Sequence, residues 1–181
     1  MKHFNFIKGF LLALLFVFAA QVKADENILV NGGFEEWSAG ALTAWGKDGS
    51  KASAHNATIA QSTDSDSGSY AVEVAGATGN KRLASKAYTL PAGTYSLSAF
   101  IKQSGDAAGA FRLGYAVIKD GAIAYHYLND PTYVTEEWEY YGVEFTLEEV
   151  TTVSVLVMNS KVGNGASILV DDVELIALST T

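Results

Sequence analysis

Polar and apolar residues alternate with a period of two along most of the chain beyond residue 26. That spacing predicts extended strands, because successive side chains of a strand point to opposite faces. Around Ser96, the residues Tyr95, Leu97, Ala99 and Ile101 share one side, which reads as a core face. Ser96, Ser98, Phe100 and Lys102 share the other side, so Phe100 stands among polar neighbours. The next strand turns Phe111, Leu113, Tyr115 and Val117 inward and Arg112, Gly114 and Ala116 outward. Tyr125 and Tyr127 lie opposite Ala124, His126 and Leu128, and the pattern leaves open which side faces out. Farther on, Tyr141, Val143, Phe145 and Leu147 read as inward, with Trp138, Tyr140 and Gly142 outward. Strands are expected at 27–31, 52–60, 69–75, 82–89, 93–103, 110–119, 122–128, 137–147, 151–159 and 166–177. Pro91-Ala92-Gly93, Lys119-Asp120-Gly121 and Gly163-Asn164-Gly165 read as turns; Asp-Gly suits a tight hairpin because both residues tolerate positive φ. The polar stretch 46–69 reads as one strand between long loops. No helical periodicity and no fixed repeat stands out. The pattern predicts an all-β antiparallel sandwich or barrel.

The last strand adds chemistry. A period of two through Ile168–Leu175 puts Leu169, Asp171, Val173 and Leu175 on one face, so Asp171 is expected to point inward. A buried carboxylate is costly unless it is paired, hydrogen-bonded or bound to a cation. Glu35 follows Phe34 in Asn31–Glu35, a segment that can lie beside this strand. Two converging acids suggest calcium, which takes about six to eight oxygens from carboxylates and carbonyls. Glu35 and Asp171 are the expected carboxylate ligands, with carbonyls from Asn31, Lys47–Gly49 and Ser67-Gly68. The alternative is that Asp171 caps backbone amides or pairs with a lysine.

Residues 1–24 read as a secretory signal peptide. Lys2 and Lys8 precede an apolar run from Phe10 to Ala20, and Val22-Lys23-Ala24 supplies a cleavage site before Asp25. That run is short for a membrane span, so no membrane insertion is expected after cleavage. The expected localisation is secreted or periplasmic, with residues 25–181 forming one domain. The chain carries a net charge of −8. Removing the first 24 residues takes away three lysines and no acids, which lowers the net charge to −11. Such acidity argues against nucleic acid as a partner and suits cation binding. With no cysteine, stability must come from core burial, with a metal as a further staple.

Catalytic motifs are weak. The expected mature chain has two distant histidines, His55 and His126, and no thiol, nucleophile elbow, zinc spacing or phosphate loop. Glu136, Glu137, Glu139, Glu144, Glu148 and Glu149 cluster around one strand. Glycoside hydrolysis needs two carboxyls about 5–10 Å apart across a bond, whereas such a cluster reads first as a solvated edge. The outward rings are the better clue. Sugar C–H faces lie on aromatic rings, and sugar hydroxyls need donors and acceptors such as Arg, Asn, Glu and Tyr.

The chain resembles the carbohydrate-binding modules of families 4, 9, 16 and 22, which are galactose-binding-domain-like jelly rolls. The resemblance is carried by Ile28–Glu35, Trp45, Ser67–Tyr70, Leu90–Lys102, Glu137-Trp138 followed by Phe145, and Val170–Val173. It implies a two-sheet antiparallel β-sandwich and a structural calcium held by Glu35, Asp171 and carbonyls near Ser67 and Gly68. It also implies a glycan cleft on the concave sheet and a packing role for Trp45. The function expected is non-catalytic binding of a polysaccharide or oligosaccharide. Sugars would stack on Phe100, Tyr125, Tyr127 and Tyr140, with Arg112 contacting hydroxyls. The alternatives are a structural or adhesive surface protein that binds another protein and, behind it, a small glycosidase or lyase.

Overall fold

A computed structural model describes residues 26–45 and 57–178. The expected signal peptide, His55, the carbonyls of Lys47–Gly49 and most of the strand expected at 52–60 lie outside the described residues. Among the described residues thirteen strands form: β1 (Trp37–Ser38), β2 (Ala41–Leu42), β3 (Ile59–Ser62), β4 (Ala71–Val74), β5 (Lys81–Ala84), β6 (Tyr88–Leu90), β7 (Gly93–Ser104), β8 (Ala110–Lys119), β9 (Ala122–Tyr127), β10 (Thr132–Tyr133), β11 (Glu139–Leu147), β12 (Thr151–Asn159) and β13 (Ser167–Ala177). One 3₁₀ turn covers Lys161–Gly163. No helix among the described residues is long and apolar enough to cross a membrane.

Eleven of the strands make a two-sheet antiparallel sandwich, and β1 and β2 pair with each other in a separate short ribbon. One sheet runs β11-β7-β13-β4-β3. In the other, β8 pairs β12 along one edge and β9 and β10 along the opposite edge, while β5 and β6 share the far side of β12. The core between the sheets takes the inward residues read from the alternation. Leu97, Ala99, Ile101, Leu113, Val155 and Val157 are all 0 % exposed. Tyr115 and Tyr95 both stack on Phe145, with ring centroids 4.4 and 5.5 Å apart. Buried ring tips find partners, as they must: Tyr95 Oη donates to the Pro91 carbonyl (2.8 Å) and Trp45 Nε1 to the Val30 carbonyl (3.1 Å). Trp45 is a packing residue, its ring at 5.2 Å and 71° to that of Phe34.

Three departures from the alternation have local causes. The expected strand 82–89 breaks at Ser85. The Ser85 hydroxyl accepts from the Val155 N–H, and Lys86 N–H turns away to the Ala44 carbonyl, so the chain leaves β12 and rejoins it at Tyr88. The segment 27–31 is irregular although it lies beside β13. Ile28 N–H donates to Leu175 O, Val173 N–H donates to Gly32 O, and Asn27 Oδ1 accepts from Leu175 N–H. Asn31 and Phe34 then adopt positive φ (56° and 54°) and close a turn.

The third departure is a β-bulge in β13. Asp171 pairs Phe100, but Glu174 pairs Ser98, so one strand spends an extra residue there. Asp172, at φ 43°, absorbs it. A bulge shifts the parity of everything beyond it. Ile168 and Val170 face the core before the bulge, and Val173 and Leu175 face it afterwards. Asp171 therefore points away from the core, on the same side as its pair Phe100, which corrects the inward orientation expected from an unbroken period of two.

Candidate functional site

The outer face of the β8–β12 sheet is built in cross-strand rows. Arg82 on β5 and Arg112 on β8 both stand opposite Met158 on β12. The next row runs Ala84, Leu156, Gly114 and Tyr127, and the one beyond it Ser154, Ala116 and Tyr125. Tyr125 and Tyr127 thus share the outward face with Gly114 and Ala116. His126 takes the other side and stacks on Tyr115 at 4.9 Å. Ala84, Ala116 and Leu156 form a sealed apolar floor beneath Ile118, Ile123, Tyr125 and Tyr127. Gly114 is needed here, since a Cβ would come within 2.2 Å of the His126 carbonyl oxygen and push β9 off the sheet.

The two guanidiniums lie over the tyrosines. Arg82 sits 4.4 Å from the Tyr125 ring centre and 5.8 Å from that of Tyr127, and Arg112 sits 4.6 Å from Tyr127. Arg82 Nε donates to Tyr127 Oη (2.5 Å) and Arg112 Nε to the Asn129 carbonyl (2.8 Å). Asn129 Oδ1 in turn accepts from Leu113 N–H (2.6 Å), which ties the β9–β10 loop to β8. Burial pushes the Tyr125 phenol above its ordinary range, and Arg82 partly offsets this. Sequence reasoning passes over Arg82. The signal was present in Lys81–Ala84, where an inward Leu83 forces Arg82 and Ala84 outward.

The expected ligand set does not stay together. Arg112, Tyr125 and Tyr127 meet on this face, but Phe100 and Tyr140 pair across β7 and β11 on the outside of the opposite sheet. Their rings touch edge to face at 5.6 Å, and Tyr140 is 59 % exposed. Nearby, Lys102 Nζ donates to Asp64 Oδ2 (2.8 Å) and Trp138 Nε1 to Asp64 Oδ1 (3.3 Å). Beside them opens a polar groove of about 440 Å³ lined by Asp64, Lys102, Gln103, Gly105, Asp106 and Glu136.

Glu35 and Asp171 do converge, on the loop before β4. Asp171 Oδ2 accepts from Asp66 N–H (2.9 Å) and Ser67 N–H (3.3 Å), and its Oδ1 accepts from Asp172 N–H (2.8 Å). Glu35 Oε1 accepts from Ser69 N–H (2.8 Å) and Tyr70 N–H (2.9 Å). Gly68 sits between the two clamps at φ 62°, where a Cβ would meet Glu35 Oε1 at 2.3 Å. These contacts are those of the amide-capping alternative. Asp171 is 0 % exposed. Burial pushes its carboxyl up to about 7; Asp172 adds to this, while the amides of Asp172, Ser67 and Asp66 pull against it. Asp66 is also raised, by burial and by Asp172. Among the described residues, no group of three or more acidic, histidine or cysteine side chains is arranged to hold a metal ion. A calcium ion at this corner therefore has to draw mainly on backbone carbonyls. Asp172 lies close enough to Asp66 and Asp171 to raise both carboxyls, and none of the three has an ion-pair partner among the described residues.

The family described as "Carbohydrate binding domain" matches residues 26–166, and the chain belongs to it. The fold is similar to the CBM22-1 xylan-binding domain of Paenibacillus barcinonensis Xyn10C, with 15 % identity and a TM-score of 0.61 over 83 % of this chain and 94 % of that one. It is similar also to a family 16 carbohydrate-binding module (21 % identity, TM-score 0.55, covering 83 % of this chain and 99 % of that chain). A third similar structure is TmCBM61 in complex with β-1,4-galactotriose (19 % identity, TM-score 0.52, covering 84 % and 99 % of the respective chains). No curated protein matches the chain in sequence.

Proposed function

We propose that this protein binds a polysaccharide or oligosaccharide without cleaving it, on the outer face of the β8–β12 sheet. The observation that carries the reading is the cluster of Arg82, Arg112, Tyr127 and Tyr125 above a dry apolar floor. Sugar rings would lie along the tyrosines while the arginines, held by their Nε bonds, offer their terminal N–H groups to hydroxyls. Similar modules bind xylan and a galactotriose by their descriptions, which supports a glycan as the ligand class. The non-catalytic reading is supported by the glutamates around β11. All are exposed, on an edge strand and its flanking turns, which is the placement of a solvated edge. Titration of the purified protein with a polysaccharide panel by calorimetry tests the reading. Saturable binding that is lost in Tyr127→Ala supports it, and heat-free titrations throughout would sink it.

Two further parts of the reading go with it. The chain is exported, on the strength of the Lys2/Lys8 and Phe10–Ala20 pattern; N-terminal sequencing of the protein recovered outside the cytoplasm should begin at Asp25. Calcium is proposed at the acidic corner, where Glu35 and Asp171 would hold it with carbonyls near Ser67 and Gly68. It would neutralise buried charge and staple the loop to β13. A melting temperature that rises with calcium and falls with a chelator supports this; equal melting in both conditions counts against it.

A further inference from the structure

Arg82 and Arg112 are the two arginines of the entire chain. The fold draws both to a single row of one face, although thirty residues separate them. In a protein with 20 acidic residues and a net charge of −8, neither has a carboxylate partner among the described residues. Among the described residues the ion pair is Lys102–Asp64, on the other sheet. Asp130, next to the Asn129 that holds Arg112, contributes its backbone carbonyl to Asn129 and Thr132 and forms no ion pair among the described residues. Each Nε is taken by a positioning bond. The terminal N–H groups have no hydrogen-bond partner among the described residues. The two strands flank β12, so their Cα atoms lie about 10 Å apart, on the scale of a disaccharide.

Neutral sugars do not require this arrangement. A guanidinium fork matches a carboxylate in plane and spacing, and is less strongly hydrated than an ammonium. The tyrosines and the apolar floor suit uncharged rings, and the acidity of the whole molecule repels a densely charged polymer. We infer that the ligand is a glycan whose mostly neutral chain carries intermittent uronic acid, the carboxylates docking on Arg82 and Arg112. This rests on the glycan face proposed above and names its substrate class.

The test is calorimetric titration of the purified protein with glucuronoxylan and with xanthan, each beside its carboxyl-reduced form, in which only the carboxylate has become a primary alcohol. The expected result is binding of a native polymer at least tenfold tighter than of its reduced form. Arg112→Gln should bring the native polymer down to the reduced level, and Arg112→Lys, which keeps the charge and loses the fork, should recover only part. The comparison of native with reduced polymer uses unaltered protein, so it stands even if a variant misfolds. Equal affinity for native and reduced polymers would overturn the uronate assignment and leave the glycan face intact. Preference for polygalacturonate or dextran sulfate would overturn the intermittent charge. Binding of none of these polymers, with neutral ones in the panel still bound, would also overturn it; silence across the whole panel would end both readings.

Discussion

Tyr127 is the side chain on which the proposed face turns, and two substitutions separate its roles. Its hydroxyl pins Arg82 and its ring carries both guanidiniums. Tyr127→Phe removes only the hydroxyl. Arg82 is then free to sample rotamers, and ordering one such side chain on binding costs about 0.5–1.5 kcal/mol. At about 1.4 kcal/mol per tenfold, the dissociation constant should rise roughly twofold to tenfold. Tyr127→Ala removes the ring as well. Two cation–ring contacts at about 0.5–1 kcal/mol each are lost, together with the stacking surface itself. A total of about 2–3 kcal/mol corresponds to roughly 30- to 150-fold weaker binding. The ring is half-buried at the sheet surface, outside the main core, so the fold should survive with a modest loss of melting temperature. Calorimetry with the best glycan of the panel, next to a thermal melt of each variant, gives both quantities. If Tyr127→Ala is folded and binds as well as the unaltered protein, the sugar does not sit on this face.

Three other outcomes follow from the geometry. Phe100→Ala and Tyr140→Ala, singly or together, should leave glycan affinity within twofold, because both rings lie on the opposite sheet; a large loss on the same titration would move the site there. The raised Asp171 carboxyl sets a sign for pH dependence. A folded-state value near 7 against an ordinary 3.8 means stability is fully present below about pH 4 and is lost as pH rises through about 7. Chelated protein should therefore resist urea better at pH 5 than at pH 8, by about 3 kcal/mol, and Asp171→Asn should flatten that trend. With calcium bound the slope should weaken, since the ion needs the ionised form. Phe34→Ala empties a fully buried site against Trp45 and should cost about 3–5 kcal/mol in denaturant unfolding.

The alternation along the chain determined the fold class and the core. Turn residues and a period of two act locally, so Tyr95, Leu97, Ala99 and Ile101, or Leu113 and Tyr115, could be turned inward from sequence alone. The same rule placed Arg112 outward. The convergence of Glu35, Asp171 and the Ser67-Gly68 loop was also legible, because the N-terminal segment and the last strand were read as neighbours. Tertiary pairing decided the rest. A strand's own pattern says that two of its faces differ, and it does not say which strands stand beside it. Arg82 joins Arg112 only because β12 pairs with β5 on one edge and β8 on the other. Phe100 and Tyr140 part from Tyr125 and Tyr127 because β7 and β9 belong to different sheets. The orientation of Asp171 was hidden for another reason. A bulge depends on the register against β7, and one inserted residue, Asp172, reverses the parity that every pattern argument assumes. Side-chain spacing is a property of one segment, whereas register and adjacency come from the hydrogen bonds between segments distant in the chain.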